Sequence, residues 1–160
     1  MKNEQLTQKE SFQEINWVRP DIQSEMGEIE RVAKMISESD DHRDHHYPKI
    51  LQDITKAIET ARLEGLTDEM WGMLENTDSY HHDLRPGHIE DVQKIVGSYR
   101  DWKSLLDAIQ NNAPMQVPII LIQENGIPHL VAGNTRLMIA RALGAKVQAL
   151  IARLEKPAKL

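Results

Sequence analysis

Hydrophobic positions change their period along the chain, from helical spacing in the first two thirds to runs of strand type near the end. Over residues 24–37, Met26, Ile29, Ala33 and Ile36 recur at three- and four-residue intervals, which puts them on one helix face. Ser24 suits the N-cap of that helix. Over residues 49–64, Ile50, Ile54, Ala57, Ile58 and Ala61 make a second helical stripe, with Gly65 as its stop. Thr67 can cap a short helix through Leu74. Ile89, Val92 and Val96 align over residues 88–96, and Asp101 caps a further helix that turns Trp102, Leu105, Leu106 and Ile109 inward. Between these stripes the chain is polar. Residues 1–22, broken by Pro20, read as a loose arm whose Phe12, Ile15, Trp17 and Val18 dock on the body. SDDHRDHHYP is a connector closed by Pro48, and residues 76–87, NTDSYHHDLRPG, are a loop by composition.

After Pro114 the period changes. Residues 117–123 form a β-branched, buried run, and residues 127–132 form its return strand. Asn125-Gly126 between them predicts a two-residue hairpin turn with positive φ at both positions. Pro118 and Pro128 lack an amide donor, so they belong at a sheet edge or a strand end. Gly133 breaks the return strand, residues 135–143 are helical, and Gly144 stops the helix. Residues 146–154 close the unit as a strand parallel to one of the hairpin pair, through a right-handed crossover.

Composition narrows the picture. The chain has 160 residues, 40% of them hydrophobic and 28% charged, which fits one folded domain or one domain with a helical extension. No run of about 18 apolar residues is present, so no membrane span is expected, and the polar start MKNEQLTQKESF is unlike a signal peptide. The absence of cysteine excludes disulfides, thiolate metal sites and cysteine nucleophiles, and fits a cytoplasmic protein. A net charge of −6 argues against a general coat for DNA, whose affinity comes from neutralising phosphates. With one Phe, three Tyr and three Trp, a platform for stacking several bases is not expected either.

The candidate chemistry lies in Gly133, Asn134, Thr135 and Arg136. A helix start presents unpaired amide donors and about half a positive charge, and a phosphate satisfies both. Glycine permits close approach, Asn134 suits the N-cap, Thr135 adds a hydroxyl, and Arg136 can grip phosphate oxygens bidentately. Arg141, about 140° further round the helix, serves elsewhere. The same four residues also read as a plain turn with a good cap and a surface arginine. The otherwise apolar helix (Leu137, Met138, Ile139, Ala140, Ala142, Leu143) favours function, because a helix buried on most sides exposes its polar start to a cleft.

The order of elements, with HLVAGNTRLMIARALGAKVQALIARL, resembles the ParB/sulfiredoxin superfamily: a strand, a Gly-x-x-Arg box, an alanine-rich helix ending in glycine, and a closing strand. SLLDAIQNNAPMQVPIILI resembles that family's preceding helix and strand, and GNTRL looks like the short ParB-like proteins of bacteriophages. The resemblance covers roughly residues 85–155. It implies a site for ATP or CTP, with or without Mg²⁺, whose phosphates lie over the box; Gly133 and Arg136 match the ends of the box, and Asn134 and Thr135 its variable middle. Sulfiredoxin places its reactive cysteine directly after the glycine; here Asn134 stands there, which excludes sulfinic reduction. The Glu-Arg middle of partition ParB proteins is also missing, which puts metal-assisted hydrolysis in doubt.

In such a fold the segment ahead of the hairpin can close over the nucleotide, which makes Arg85 and His88 candidate ligand contacts. Glu90, Asp91 and Asp101 are the nearest acids for a general base or metal ligand, and serve equally well as charge at helix starts; Glu90 and Asp101 are the catalytic candidates. His42, His45 and His46 with Asp40, Asp41 and Asp44, and likewise His81, His82 and Asp83, match no zinc template and read as solvated loops. Met26, Met35, Met70, Met73 and Trp71 read as core, and Lys146 and Arg153 as a solvated strand face.

The expected fold is α+β: a helical N-terminal part, residues 1–84, packed on a small ParB/sulfiredoxin-like mixed sheet, residues 85–160, with a β-hairpin and a βαβ unit. The expected function is a cytoplasmic nucleotide-binding protein, with a phosphotransferase or NTPase as its enzymatic form. The alternatives are a non-catalytic phage interaction module and a DNA-associated ParB-like adaptor or nuclease-type protein, with a protein or DNA partner.

Overall fold

The computed structural model describes residues 14–38, 46–75 and 102–154. The expected docking of Phe12, the Asp/His loop before His46, the loop over 76–87, the helix over 88–96 and the Asp101 cap lie outside the described residues.

From Ile15 onward the arm docks on the body, as expected of Ile15, Trp17 and Val18, and it does so as a strand. β1 (Trp17–Val18) pairs in parallel with β3 (Met115–Gln116), and the Trp17 indole N–H donates to the Lys146 carbonyl at 3.0 Å. A 3-10 turn, Ile22–Glu25, leads into α1 (Met26–Ser37). Ser24 does not cap this helix. Asp21 accepts from the Gln23 amide at 3.1 Å, and the Ser24 hydroxyl donates to the Asp21 carbonyl at 2.7 Å, so the cap sits one turn earlier than expected. Ile29, Val32, Ala33 and Ile36 are the buried stripe.

α2 (Tyr47–Glu59) begins two residues before the expected start. It takes Pro48 into its first turn, where a missing amide costs nothing. It ends at Glu59 and does not run on to Gly65. The Arg19 guanidinium donates to the carbonyls of Ala61 (2.8 Å), Glu59 (2.8 Å) and Ile58 (3.4 Å), which satisfies the helix end. The chain then becomes β2 (Arg62–Gly65), antiparallel to β6 (Gln148–Arg153). Thr67 caps α3 (Asp68–Met73) as expected, accepting from the Met70 amide at 3.0 Å. Of the side chains read as core, Trp71 is buried and Met26, Met35 and Met70 pack partly buried, whereas Met73 is exposed.

α4 (Trp102–Gln110) precedes β3, β4 (Ile119–Ile122) and β5 (Pro128–Ala132). The hairpin between β4 and β5 differs from expectation. Only Gly126 has positive φ (85°). The Gly126 amide donates to the Gln123 carbonyl at 2.8 Å, and the Asn125 side chain accepts from the Ile127 amide at 2.9 Å. That is a three-residue loop with a left-handed glycine last, and the Asn-Gly pair fits it as readily as the two-residue turn. Pro128 opens edge strand β5, as a residue without a donor should. The outer edge is not bare, since Glu75 bridges it through its amide to the Pro128 carbonyl and its carbonyl to the Leu130 amide. α5 (Asn134–Ala142) follows, then left-handed Gly144 (φ 70°) and β6.

The main sheet runs β2-β6-β4-β5, and β6 is parallel to β4, the first strand of the hairpin. One face carries Ile120, Leu130, Ala149 and Ile151 against α5, Trp71, Leu74 and Ile109. The other carries Ile119, Leu121, Leu150 and Ala152 against the isoleucine stripes of α1 and α2. β4 is buried on both sides, which explains its unbroken apolar run. Among the described residues the class is α+β, with five helices and two sheets. β1 and β2 are strands contributed by the part expected to be helical. No described helix is long and apolar enough to cross a membrane.

Candidate functional site

Gly133 joins β5 to α5, and its conformation makes the junction possible. It lies at φ 96°, ψ 23°, in the left-handed region, and it is the N-cap of α5; Asn134, expected to cap, is instead the first helical residue. No side chain caps this start. The backbone is also pressed against Pro118: a Cβ placed on Gly133 would lie 2.8 Å from Pro118 Cα and 3.0 Å from Pro118 Cβ. Both constraints demand glycine.

Side chains on a helix lean toward its N-terminus. Arg136 does so, bringing its Nη2 within 3.0 Å of that same Cβ position. The guanidinium therefore sits over the amide end of α5, where the helix dipole already supplies positive charge. Its counter-charge is Glu25, from the 3-10 turn ahead of α1. Arg136 Nη2 and Glu25 Oε1 are 3.5 Å apart, with the two side chains 17% and 16% exposed. A well-formed guanidinium–carboxylate fork has two bonds of about 2.7–2.9 Å. The single long contact leaves the guanidinium incompletely satisfied, and Arg136 Nε is buried with no partner.

Two more buried atoms of the box are in the same condition. Thr135, only 5% exposed, has no hydrogen-bond partner for Oγ1, and Asn134 has none for Oδ1. Buried polar atoms are nearly always bonded, and an orphan costs about 1–3 kcal/mol. Three such atoms fall within three consecutive residues, on an uncapped helix start with a cation folded over it, an arrangement with the donors that an anion could engage. The Thr135 hydroxyl can donate to a phosphate oxygen, and the Asn134 amide can do so in its flipped orientation.

Arg141 does serve elsewhere, as expected. It pairs with Asp68 at 3.0 Å and lies over the Trp71 ring at 4.8 Å from its centroid. Arg85, His88, Glu90, Asp91 and Asp101 lie outside the described residues, as do His42, His45, His81, His82 and Asp83; His46 is exposed at the start of α2. Among the described residues no group of three or more His, Asp or Glu is placed to hold a metal ion. Glu25, the carboxylate at the box, escaped the sequence reading: it stands 111 positions from Arg136, and nothing local marks it. His129 escaped it too. It is 3% exposed, its Nε2 has no partner, and burial holds its imidazole below the usual value while Glu75 pulls the other way.

A groove of about 260 Å³ lies away from the box, lined by Thr60, Arg62, Glu64 and Arg153. Its central charges already satisfy each other. Arg153 forks onto Glu64 at 2.9 and 3.3 Å and holds that carboxyl below its usual range. The box, with its unspent polar atoms, is the better candidate. Compared with family models, curated proteins and solved structures, the chain matches none.

Proposed function

We propose that the chain is a nucleotide-binding protein of the ParB/sulfiredoxin type, holding the phosphates of ATP or CTP at residues 133–136. One observation carries the reading: left-handed Gly133 opens an uncapped helix start, with Arg136 folded over it and the Thr135 hydroxyl buried and unpaired. A phosphate there would take up the helix amides, the hydroxyl and the unfilled side of the guanidinium together. A phosphotransferase or NTPase is the enzymatic form of this reading, with Glu25 the carboxylate that stands at Arg136. Binding without turnover would make the chain a non-catalytic module, phage-type or DNA-associated.

Thermal unfolding with ATP, CTP, GTP and ADP, with and without Mg²⁺, tests the reading. A ligand at a hundred times its Kd stabilises by about 2.7 kcal/mol, which for a domain of this size raises Tm by roughly 5–10 °C. Arg136→Ala should weaken the binding by about ten- to a hundred-fold, the loss of one or two charge-assisted bonds. Arg141→Ala should leave it intact. No shift with any nucleotide, or full affinity in Arg136→Ala, sinks the proposal. Release of the terminal phosphate, followed in the same samples, separates enzyme from module.

A further inference from the structure

We propose that Glu25 is a specificity-determining residue of this site, making it select a phosphate that arrives with a divalent cation over a bare one. This rests on the phosphate reading of residues 133–136. The Glu25 carboxylate is the counter-ion of Arg136, at 3.5 Å and largely shielded from water on both sides. A bare phosphate must compete with it for the guanidinium. If the carboxylate stays near, the phosphate meets an unscreened negative charge; if it leaves, its ion pair is lost. Either way, metal-free binding is weakened.

A divalent cation reverses the sign. Mg²⁺ takes oxygen ligands and is typically held by one or two carboxylates together with the substrate's phosphates, without a cage built wholly of protein. Glu25 supplies one such carboxylate. With the cation present the carboxylate turns from competitor into ligand, and Arg136 is freed for the phosphate. The 3-10 turn that carries Glu25 is held by Asp21 and by the pairing of β1 with β3, so the carboxylate is presented by ordered backbone.

The test measures ADP affinity by calorimetry in EDTA and in excess Mg²⁺, for the full chain and for Glu25→Gln. Mg²⁺ should strengthen binding to the unaltered chain. Glu25→Gln should bind metal-free ADP about ten-fold more tightly, the equivalent of one charge-assisted contact no longer contested, and should lose most of the Mg²⁺ stimulation. Glu25→Asp, which keeps the charge, should keep the stimulation, and thermal unfolding confirms that each variant is folded. Equal Mg²⁺ stimulation in the Gln variant, or no gain in its metal-free affinity, overturns the role of Glu25. If ADP binding is then still lost in Arg136→Ala, the phosphate site itself stands. Absence of binding in the unaltered chain and in Glu25→Gln, under both conditions, overturns both proposals.

Discussion

Gly133→Ala is the perturbation whose cost follows most directly from the geometry. At φ 96° an alanine occupies a left-handed conformation, at a cost of roughly 1–2 kcal/mol. The new Cβ must then fit 2.8 Å from Pro118 Cα. That neighbour is backbone, and it is anchored, because the Pro118 carbonyl accepts from the Leu150 amide at 2.8 Å. Relief therefore requires β4 and β6 to move together, an overpacking cost of about 1–3 kcal/mol. The total, about 2–5 kcal/mol, lowers Tm by very roughly 5–15 °C for a domain of this size. The internal control is Gly126→Ala. Its φ is 85°, but nothing lies within 4 Å of the added Cβ, so only the conformational part applies, about 1–2 kcal/mol. Urea unfolding of the two variants side by side isolates the steric part. Equal losses would mean that the approach to Pro118 is soft and that close contact does not require glycine at position 133. The Gly133 variant should also bind nucleotide less well, since the Arg136 Nη2 lies 3.0 Å from the same Cβ and must move aside.

Two further outcomes concern residues away from the box. Burial keeps His129 below the ordinary imidazole value of 6.5, so the unfolded chain takes up a proton that the folded chain refuses. Its contribution to stability is whole above that pH, declines as pH falls, and levels off below the folded value; unfolding of His129→Leu across the same range should lack this slope, and an undiminished slope would assign it to other groups. Arg19→Met keeps the aliphatic stem but removes the donors to the Ala61, Glu59 and Ile58 carbonyls. Because these bonds are largely solvent-accessible, the loss should be about 1–2 kcal/mol in urea unfolding, and an unchanged midpoint would show that water caps α2 equally well.

The elements legible in the sequence are those whose signal is local. The stripes of α1 and α2, the Thr67 cap, the two-sided apolar run of β4 and the glycine break at Gly133 need no partner to be recognised. β2 was hidden for the opposite reason. Arg62, Leu63, Glu64 and Gly65 have no strand pattern and are mostly exposed; they are extended because the edge of β6 offers them hydrogen bonds. The docking of the arm was legible in Ile15, Trp17 and Val18, but its strand form was not, since β1 exists only against β3. In the candidate site, the glycine, the hydroxyl and the arginine could be read from the chain. The cap could not be placed correctly, because a left-handed glycine ending a strand makes Asn134 the first helical residue rather than the cap. Glu25 could not be found at all. Its relation to Arg136 is a product of packing α1 across the sheet, and no local pattern encodes it.

The two arginines of α5 separate what stability asks from what a site asks. A cation in the last turn of a helix is favoured by the dipole, and a cation in the first turn is disfavoured, by about 0.3–1 kcal/mol each when exposed. Arg141 obeys the rule: it stands in the last turn, pairs with Asp68 and covers Trp71. Arg136 breaks it at the first turn, on a start with no capping side chain and with two orphaned neighbours. A fold selected for stability alone would gain from an acid or a cap at that position. The only repair among the described residues is the long contact to Glu25, recruited from the far end of the chain. Local rules broken with partial compensation are characteristic of functional sites, because the unspent interactions are those a ligand completes. Both arginines bury an Nε without a partner, but only Arg136 does so at the end of this nine-residue helix that repels a cation, which is why the proposed phosphate is placed there.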